Sequence, residues 1–235
     1  GRISAEGRVL SPMNIDEDAL RAKKAAGFNS VAIVLIHGPL HPSTELKIAR
    51  MCRDIGFQHI SVGHQVAPSR GYLARLHTTL ADAATTPLLP RAAGLYMRSD
   101  GGLSDVANWS GSNAVLSGPA GGVVATAAIA EASGVGPAFG LDMGGTSTDV
   151  CRVDQGPERT DHLDIGGMRL RVPSLKLETV AAGGGSLLAV ADGILTVGPR
   201  SAGADPGPAA YSRGGPATLT DADAALGRLP NFPHV

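Results

Sequence analysis

The stretch Gly140–Val150, reading Gly-Leu-Asp-Met-Gly-Gly-Thr-Ser-Thr-Asp-Val, constrains this chain more than any other. Ala138-Phe139 lead into it and Val150-Cys151-Arg152-Val153 lead out. Apolar residues on both sides predict two strands joined by a tight turn over Met143–Thr146. Gly144 and Gly145 are expected to give that turn positive φ angles. A turn of this kind can gather several amide N–H groups into one small space that attracts phosphate oxygens. Thr146, Ser147 and Thr148 add hydroxyl donors, whereas Asp142 and Asp149 only accept. Beside a phosphate the two carboxylates need a cation between, and Mg²⁺ with its waters suits that place. The plainer reading is a glycine-rich hairpin with polar turn residues, which is common turn chemistry.

Composition sets the outer bounds. A chain of 235 residues fits one or two domains and can bury a sizeable core. With 43% apolar residues and a net charge of -1, it is a globular protein with no charge-built surface for nucleic acid or membrane. Glycine is the outlier at 32 residues, about twice ordinary usage. Cys52 and Cys151 are the only cysteines and read as reduced core thiols of a cytoplasmic protein. No Cys/His cluster has zinc spacing, and no signal peptide or membrane-length apolar run is expected. The chain opens on Gly1 rather than Met, as expected of a processed product or an excised fragment.

Before that stretch the pattern is strand, helix, strand. Arg2–Leu10 predicts a small hairpin around Glu6-Gly7, and Asn14 a helix cap with Gly27 as the stop. Ser30–Ile36 and Gln58–Val62 read as strands flanking a helix that opens at Pro42-Ser43, a right-handed parallel crossover. His37 and His64 follow the two strand ends, where ligands of open parallel sheets sit. They either line a site or are hydrogen-bonded loop residues. A third helix is expected over 70–89, with Arg75, Thr78 or Thr79, and Asp82 sharing one face, most simply a solvated one.

From Gly94 onward, glycine-rich turns recur. Leu95–Met97 and Ala114–Leu116 read as strands, the second running into Ser117-Gly118-Pro119-Ala120-Gly121-Gly122 and a small-residue helix to Ala132. A glycine-rich loop opening a helix near the hairpin is an anion site by geometry, although no Walker A sequence follows. In the competing view its glycines serve only close helix–sheet packing. Strands are expected around Gly166-Gly167, and a hairpin about Asp192-Gly193. Gly183-Gly184-Gly185-Ser186 demands either a close backbone approach to a ligand or a tight buried turn. Thr220-Asp221 is expected to cap a final helix.

Taken together, SGPAGGVV at 117–124, LDMGGTSTDV at 141–150, TVAAGGGS at 179–186, VGPRSAGADPGPAAY at 197–211 and TDADAALGRL at 220–229 resemble the hydantoinase/oxoprolinase family of ATP-dependent amidohydrolases. MRSDGGL at 97–103 and TVAAGGGS look most like its 5-oxoprolinase branch. The resemblance implies an α/β fold of the actin/hexokinase/Hsp70-like ATPase class (ribonuclease H-like). Only part of that fold is expected here, over 93–235, preceded by an α/β segment over 1–92. It implies ATP and Mg²⁺ as cofactors, with Asp142 and Asp149 holding the metal or orienting water. Gly144, Gly145, Thr146, Ser147, Thr148, Gly118, Gly121, Gly183, Gly184, Gly185 and Ser186 are implied to contact the nucleotide.

The implied substrate is a cyclic amide of the 5-oxoproline or hydantoin class. The implied partners are a second hairpin-bearing N-terminal half and a hydantoinase B-like subunit or domain. Departures are Lys176 and Glu178 before the TVAA run, Ala210 for Cys and Asp223 for Asn. A nucleotide-binding or assembly module without activity of its own, and another kinase of the same fold, are the alternatives.

Overall fold

The computed structural model describes residues 1–4, 7–69 and 71–229. Glu6 of the first expected turn and Arg70, the expected start of the third helix, lie outside the described residues. Internal contacts group the chain into two compact units, Gly1–Ala120 with Arg159–Ser174, and Gly121–Glu158 with Leu175–Val235.

The first unit opens with the antiparallel pair β1 (Arg2–Ile3) and β2 (Val9–Ser11), followed by α1 (Glu17–Ala25). Asp16, not Asn14, caps α1, its Oδ1 accepting from the Ala19 N–H at 2.9 Å. Next come β3 (Ser30–Ile33), α2 (Pro42–Ile55), β4 (His59–Val62), the short α3 (Gly63–Val66) and α4 (Tyr72–Thr85). β3 and β4 pair in parallel, as the crossover requires. Their register puts Val31, Ile33, Ile60 and Val62 on one face and Ser30, Ala32, His59 and Ser61 on the other. The apolar face packs on Ala49 and Cys52 of α2. The polar face meets α4, with Ser30 Oγ donating to the Ala83 carbonyl and Ser61 Oγ to Asp82.

That pairing explains why the polar stripe of α4 is not solvated as expected. Arg75, Thr78, Thr79 and Asp82 are all buried, because each finds a partner: Arg75 donates to the Leu35 and Ile36 carbonyls, Thr78 and Thr79 to carbonyls one helical turn back, and Asp82 accepts from Ser61 Oγ and the Ser112 amide. Beyond α4 lie β5 (Leu95–Met97), β6 (Leu103–Asp105) and α5 (Gly111–Ala114). Residues 114–116 are therefore helix end and turn rather than a strand. The Ser110–Asn113 capping box starts a helix there, and Pro119, which has no N–H to offer Val115, interrupts it.

The second unit centres on α6 (Ser117–Ala132), β7 (Ala138–Met143) and β8 (Thr148–Val153). Residues 117–122 are thus not a loop but the opening turns of α6, where Pro119 is tolerated. The chain next contributes β9 (Arg159–Thr160), β10 (Leu163–Ile165) and β11 (Met168–Leu170) to the first unit, where β11 packs on α4. The division between the two units falls within β12 (Ser174–Leu175). β13 (Glu178–Val180), the hairpin β14 (Ser186–Ala191) and β15 (Ile194–Ser201), and α7 (Leu219–Ala225) complete the second unit. β13, β8 and β7 form one antiparallel sheet in that order. The β14–β15 turn has Asp192 and Gly193 both at positive φ, as its sequence requires.

Helix α6 runs antiparallel to β7 along one face of this sheet. A Cβ built on Gly122 would meet Asp142, and one on Gly140 would meet Thr126 and Cys151. Four residues of helix rise about 6 Å and two of strand about 6.7 Å, so successive pairs stay in step. Gly140 is required here, since its Cβ would lie 2.3 Å from Thr126 Oγ1 and 2.7 Å from Cys151 Sγ. The direction of α6 carries its N-terminal side toward the turn end of the hairpin.

Candidate functional site

The hairpin turn occupies 144–147, closed by the Met143–Thr148 pair and by Gly144 N–H donating to Ser147 O at 2.8 Å. Neither Gly144 nor Gly145 has the positive φ expected from the sequence. What demands glycine instead is the triplet Gly183–Gly185, laid backbone to backbone against the turn. A Cβ on Gly183 would lie 2.7 Å from Gly144 O and Ser147 N and 2.8 Å from Thr146 N. Gly184 N–H donates to Gly144 O at 2.9 Å, and Gly185 N–H donates to Gly145 O at 2.6 Å. Of the two readings left open for the triplet, this is the tight buried turn.

Other residues of the motifs are taken up by the same scaffold. Thr148 Oγ1 donates to Ala182 O at 2.6 Å, and the fully buried Ser186 accepts from Gly183 N–H at 2.9 Å. Thr220, through both its amide and its hydroxyl, donates to Gly184 O at 2.8 Å. That ties the first turn of α7 to the triplet. Thr218, not Thr220, caps this helix in a reciprocal box with Asp221, which also accepts from the amides of Ala209 and Ala210. Burial pushes the Asp221 carboxyl up, but these donors outweigh it and its pKa lies below the ordinary value.

After these bonds a distinct set of groups is left over. The amides of Gly145, Thr146 and Ser147 donate no hydrogen bond among the described residues, and residues 144–146 are exposed. A Cβ on Gly145, Gly118 or Gly121 would meet nothing within 4 Å. None of the three has positive φ. Gly118 and Gly121 sit inside α6, where glycine costs about 0.5–1 kcal/mol relative to alanine. Packing and backbone conformation therefore give no reason for these three glycines, whereas they do for Gly122, Gly140 and Gly183. The expectation for the 117–122 segment thus divides, with Gly122 serving helix–sheet packing and Gly118 and Gly121 serving none.

Asp142 and Asp149 are direct cross-strand partners, so their side chains share the face that α6 covers. Directly opposed Cβ atoms lie roughly 4.5–5.5 Å apart. Among the described residues, neither carboxylate pairs with Lys, Arg or His. Asp149 accepts one hydrogen bond, from Thr179 Oγ1 at 2.6 Å, and Asp142 rests against Gly122. Two opposed carboxylates without a cation, beside three unspent amides, an exposed Thr146 and a half-buried Ser147, form a donor set that fits Mg²⁺ and phosphate. Sequence reasoning missed Thr179. The TVAAGGGS run displayed it, but only strand register shows that it faces Asp149.

The other histidine and charge candidates resolve differently. His64 Nδ1 lies 2.6 Å from Glu45, a fully buried carboxylate that also accepts the amides of Leu35 and His64. Glu45 thereby clamps the loop that follows β3 to the first turn of α3. His37 stands apart from this clamp and lines a cavity of about 590 Å³ together with His41, Thr44 and Tyr72. Lys176 is absorbed by Glu158, at 3.2 Å, which also pairs with Arg152 at 3.0 Å. Hydrogen bonds from Lys176 and Arg152 hold the Glu158 carboxyl below its ordinary pKa. Cys52 and Cys151 are free and buried, and burial raises the Cys52 thiol.

A glycine-buttressed turn with paired aspartates, in a mixed α/β fold, limits the class of protein, and comparison with known proteins narrows it. The profile of the hydantoinase/oxoprolinase family matches residues 67–233, and that of the hydantoinase/oxoprolinase N-terminal region matches 1–56. The chain belongs to the hydantoinase/oxoprolinase family. It is 42% identical over 232 residues to 5-oxoprolinase of Saccharomyces cerevisiae, covering 91% of this chain and 18% of that protein. The crystal structure of ATP-dependent caprolactamase from Pseudomonas jessenii matches with a TM-score of 0.70 at 33% identity, covering 99% of this chain and 37% of that one. Nucleotide-free acetone carboxylase matches in fold, with a TM-score of 0.78 at 24% identity over 97% of this chain and 36% of that one. The α/β fold class expected from the motifs is thus shared with parts of caprolactamase and acetone carboxylase. The chain spans about a fifth of the yeast relative's length and just over a third of each structural relative's.

Proposed function

We propose that this chain supplies the phosphate- and cation-holding turn of an ATP-dependent cyclic-amide hydrolase of the 5-oxoprolinase or hydantoinase type. The observation that carries the reading is the coincidence of unpaired Asp142 and Asp149 with the unspent amides of Gly145–Ser147 and a glycine, Gly145, that nothing else requires. In this reading ATP supplies the phosphoryl group that turns the ring carbonyl oxygen into a leaving group, and Mg²⁺ neutralises the phosphate charge. Asp142 and Asp149 hold the cation or its waters. The Gly145, Thr146 and Ser147 amides and the Thr146 and Ser147 hydroxyls orient phosphate oxygens. Gly118 and Gly121 leave α6 open to the nucleotide, and Gly183–Ser186 with Thr148 keep the turn in shape.

Residues 93–235 are assigned the ATPase-type role and 1–92 the preceding half. A second hairpin-bearing half and a hydantoinase B-like subunit or domain complete the enzyme, in a cytoplasmic setting that suits two free buried thiols. A second reading, a nucleotide-binding or assembly module inactive by itself, is favoured for this stretch alone by the single Asp-x-Gly-Gly-Thr copy in its sequence, at 142–146.

Titration calorimetry with Mg-ATP tests the site. Asp142→Ala and Gly145→Val are expected to lose at least about tenfold in affinity, the loss of one charge-assisted contact. Wild-type affinity retained by both folded variants would refute the assignment. ATP-dependent opening of 5-oxoproline or a hydantoin by the full protein, absent in Asp149→Ala, separates the hydrolase reading from the inactive-module reading.

A further inference from the structure

We propose that Thr179 is a positioning residue that makes the two facing aspartates inequivalent and biases the site toward Mg²⁺ over Ca²⁺. This rests on the cation-site reading above. Register places Asp142, Asp149 and Thr179 in one row across β7, β8 and β13. Thr179 Oγ1 donates to Asp149 Oδ1 at 2.6 Å. Threonine is stiff at χ1, so the hydroxyl is held where it is needed. Asp142 receives no hydrogen bond among the described residues, and its Oδ2 lies against the Cα side of Gly122, the one contact that a Cβ there would block.

The consequence follows from cation chemistry. Ca²⁺ takes six to eight oxygens and favours carboxylates that give both of theirs. Mg²⁺ keeps a tight octahedron with several waters and needs one or two single carboxylate oxygens. With Oδ1 already accepting from Thr179, a cation held through both oxygens of Asp149 would have to share or strain that hydrogen bond, so Oδ2 is its freer oxygen, directly or through a water. Asp142, unpinned, is the carboxylate free to adjust. The row therefore favours a single-oxygen arrangement, which a small hydrated cation satisfies better than a large one.

The test is free-Mn²⁺ electron paramagnetic resonance on the full protein, with Mg²⁺ and Ca²⁺ as competitors, in wild type, Thr179→Val and Thr179→Ser. Valine keeps the shape and loses the hydroxyl, while serine keeps the hydroxyl. The Mg²⁺-over-Ca²⁺ preference is expected to fall about tenfold in Thr179→Val, the weight of one hydrogen bond to a charged group, and to stay within about twofold of wild type in Thr179→Ser. A Thr179→Val protein with wild-type preference overturns the inference while leaving the cation site standing. Loss of preference in the serine variant also overturns it, since the hydroxyl would not then be the cause. A wild-type protein that binds no Mn²⁺ overturns the cation site itself, and this inference with it.

Discussion

Glu45, in the first turn of α2, and Asp142, near the end of β7, are both carboxylates, and the protein treats them in opposite ways. Glu45 is fully buried and fully occupied, holding two amides and the His64 ring. Asp142 is exposed, faces a second carboxylate and has no donor among the described residues. The same contrast separates Arg75 and Asp82, buried among carbonyls and hydroxyls, from Asp149, which holds a single hydroxyl. Buried charge that is completely satisfied is scaffold, because removing a partner leaves an expensive orphan. Like charges set side by side at a surface without partners are unfavourable in isolation, so they point to a ligand that is not protein.

The sharpest way to break that contrast is to delete each carboxylate and compare stability. Glu45→Ala should cost about 3–5 kcal/mol in urea unfolding, since His64 and two amides lose their acceptor in a dry site. Asp142→Ala should change stability by less than about 1 kcal/mol. Comparable losses in the two variants would erase the distinction between scaffold and site.

Gly183 comes next. Its built Cβ lies under 3 Å from three backbone atoms of the turn, and backbone cannot swing away as a side chain can. Gly183→Ala should cost about 1–3 kcal/mol or more, as overpacking does, and should weaken Mg-ATP binding through displacement of the turn. A Gly183→Ala protein with wild-type stability would show that the triplet does not buttress the turn.

Much of this was legible beforehand, and the misses share a cause. The parallel crossover, the Asp192-Gly193 hairpin and the tight hairpin between β7 and β8 were readable because each depends on local periodicity or turn chemistry. The buried face of α4 was not readable. Arg75, Thr78 and Asp82 look like a solvated stripe until the Leu35 and Ile36 carbonyls after β3, the Arg171 amide and Ser61 of β4 are found to partner them. The 114–116 strand failed because an apolar triplet fits helix and strand equally, and only the Ser110–Asn113 box decides. At the site, the hairpin sequence displayed both aspartates. The positive φ expected of Gly144 and Gly145 is absent, because the need for glycine lies across space, at Gly183. Thr179 became visible only with register.

Asp82 gives the contrast a pH signature. Burial raises its pKa, but hydrogen bonds from Ser61 and from the Ser112 amide outweigh that and leave it below the ordinary value. A carboxyl depressed in the folded state adds stability that is present above the unfolded value near 3.9 and lost as pH falls through the folded one. The urea midpoint of wild type should therefore drop below about pH 4. The drop should be shallower in Asp82→Asn, whose lower stability does not titrate at this position. Parallel pH profiles would show that Asp82 contributes nothing to acid sensitivity.

The smallest expected effect is the most telling. Gly145 lacks positive φ, and a Cβ there enters open space. Alanine at such a position restricts the unfolded chain and should raise stability by about 0.4–1 kcal/mol. If the turn holds phosphate, the same methyl group occupies space that the ligand needs, and Mg-ATP affinity should fall although the protein is firmer. Melting and calorimetry on one Gly145→Ala preparation read both signs together. Higher stability with unchanged affinity would mean that the open space at Gly145 is empty of function, and the difference between scaffold glycine and site glycine would rest on Gly118 and Gly121 alone.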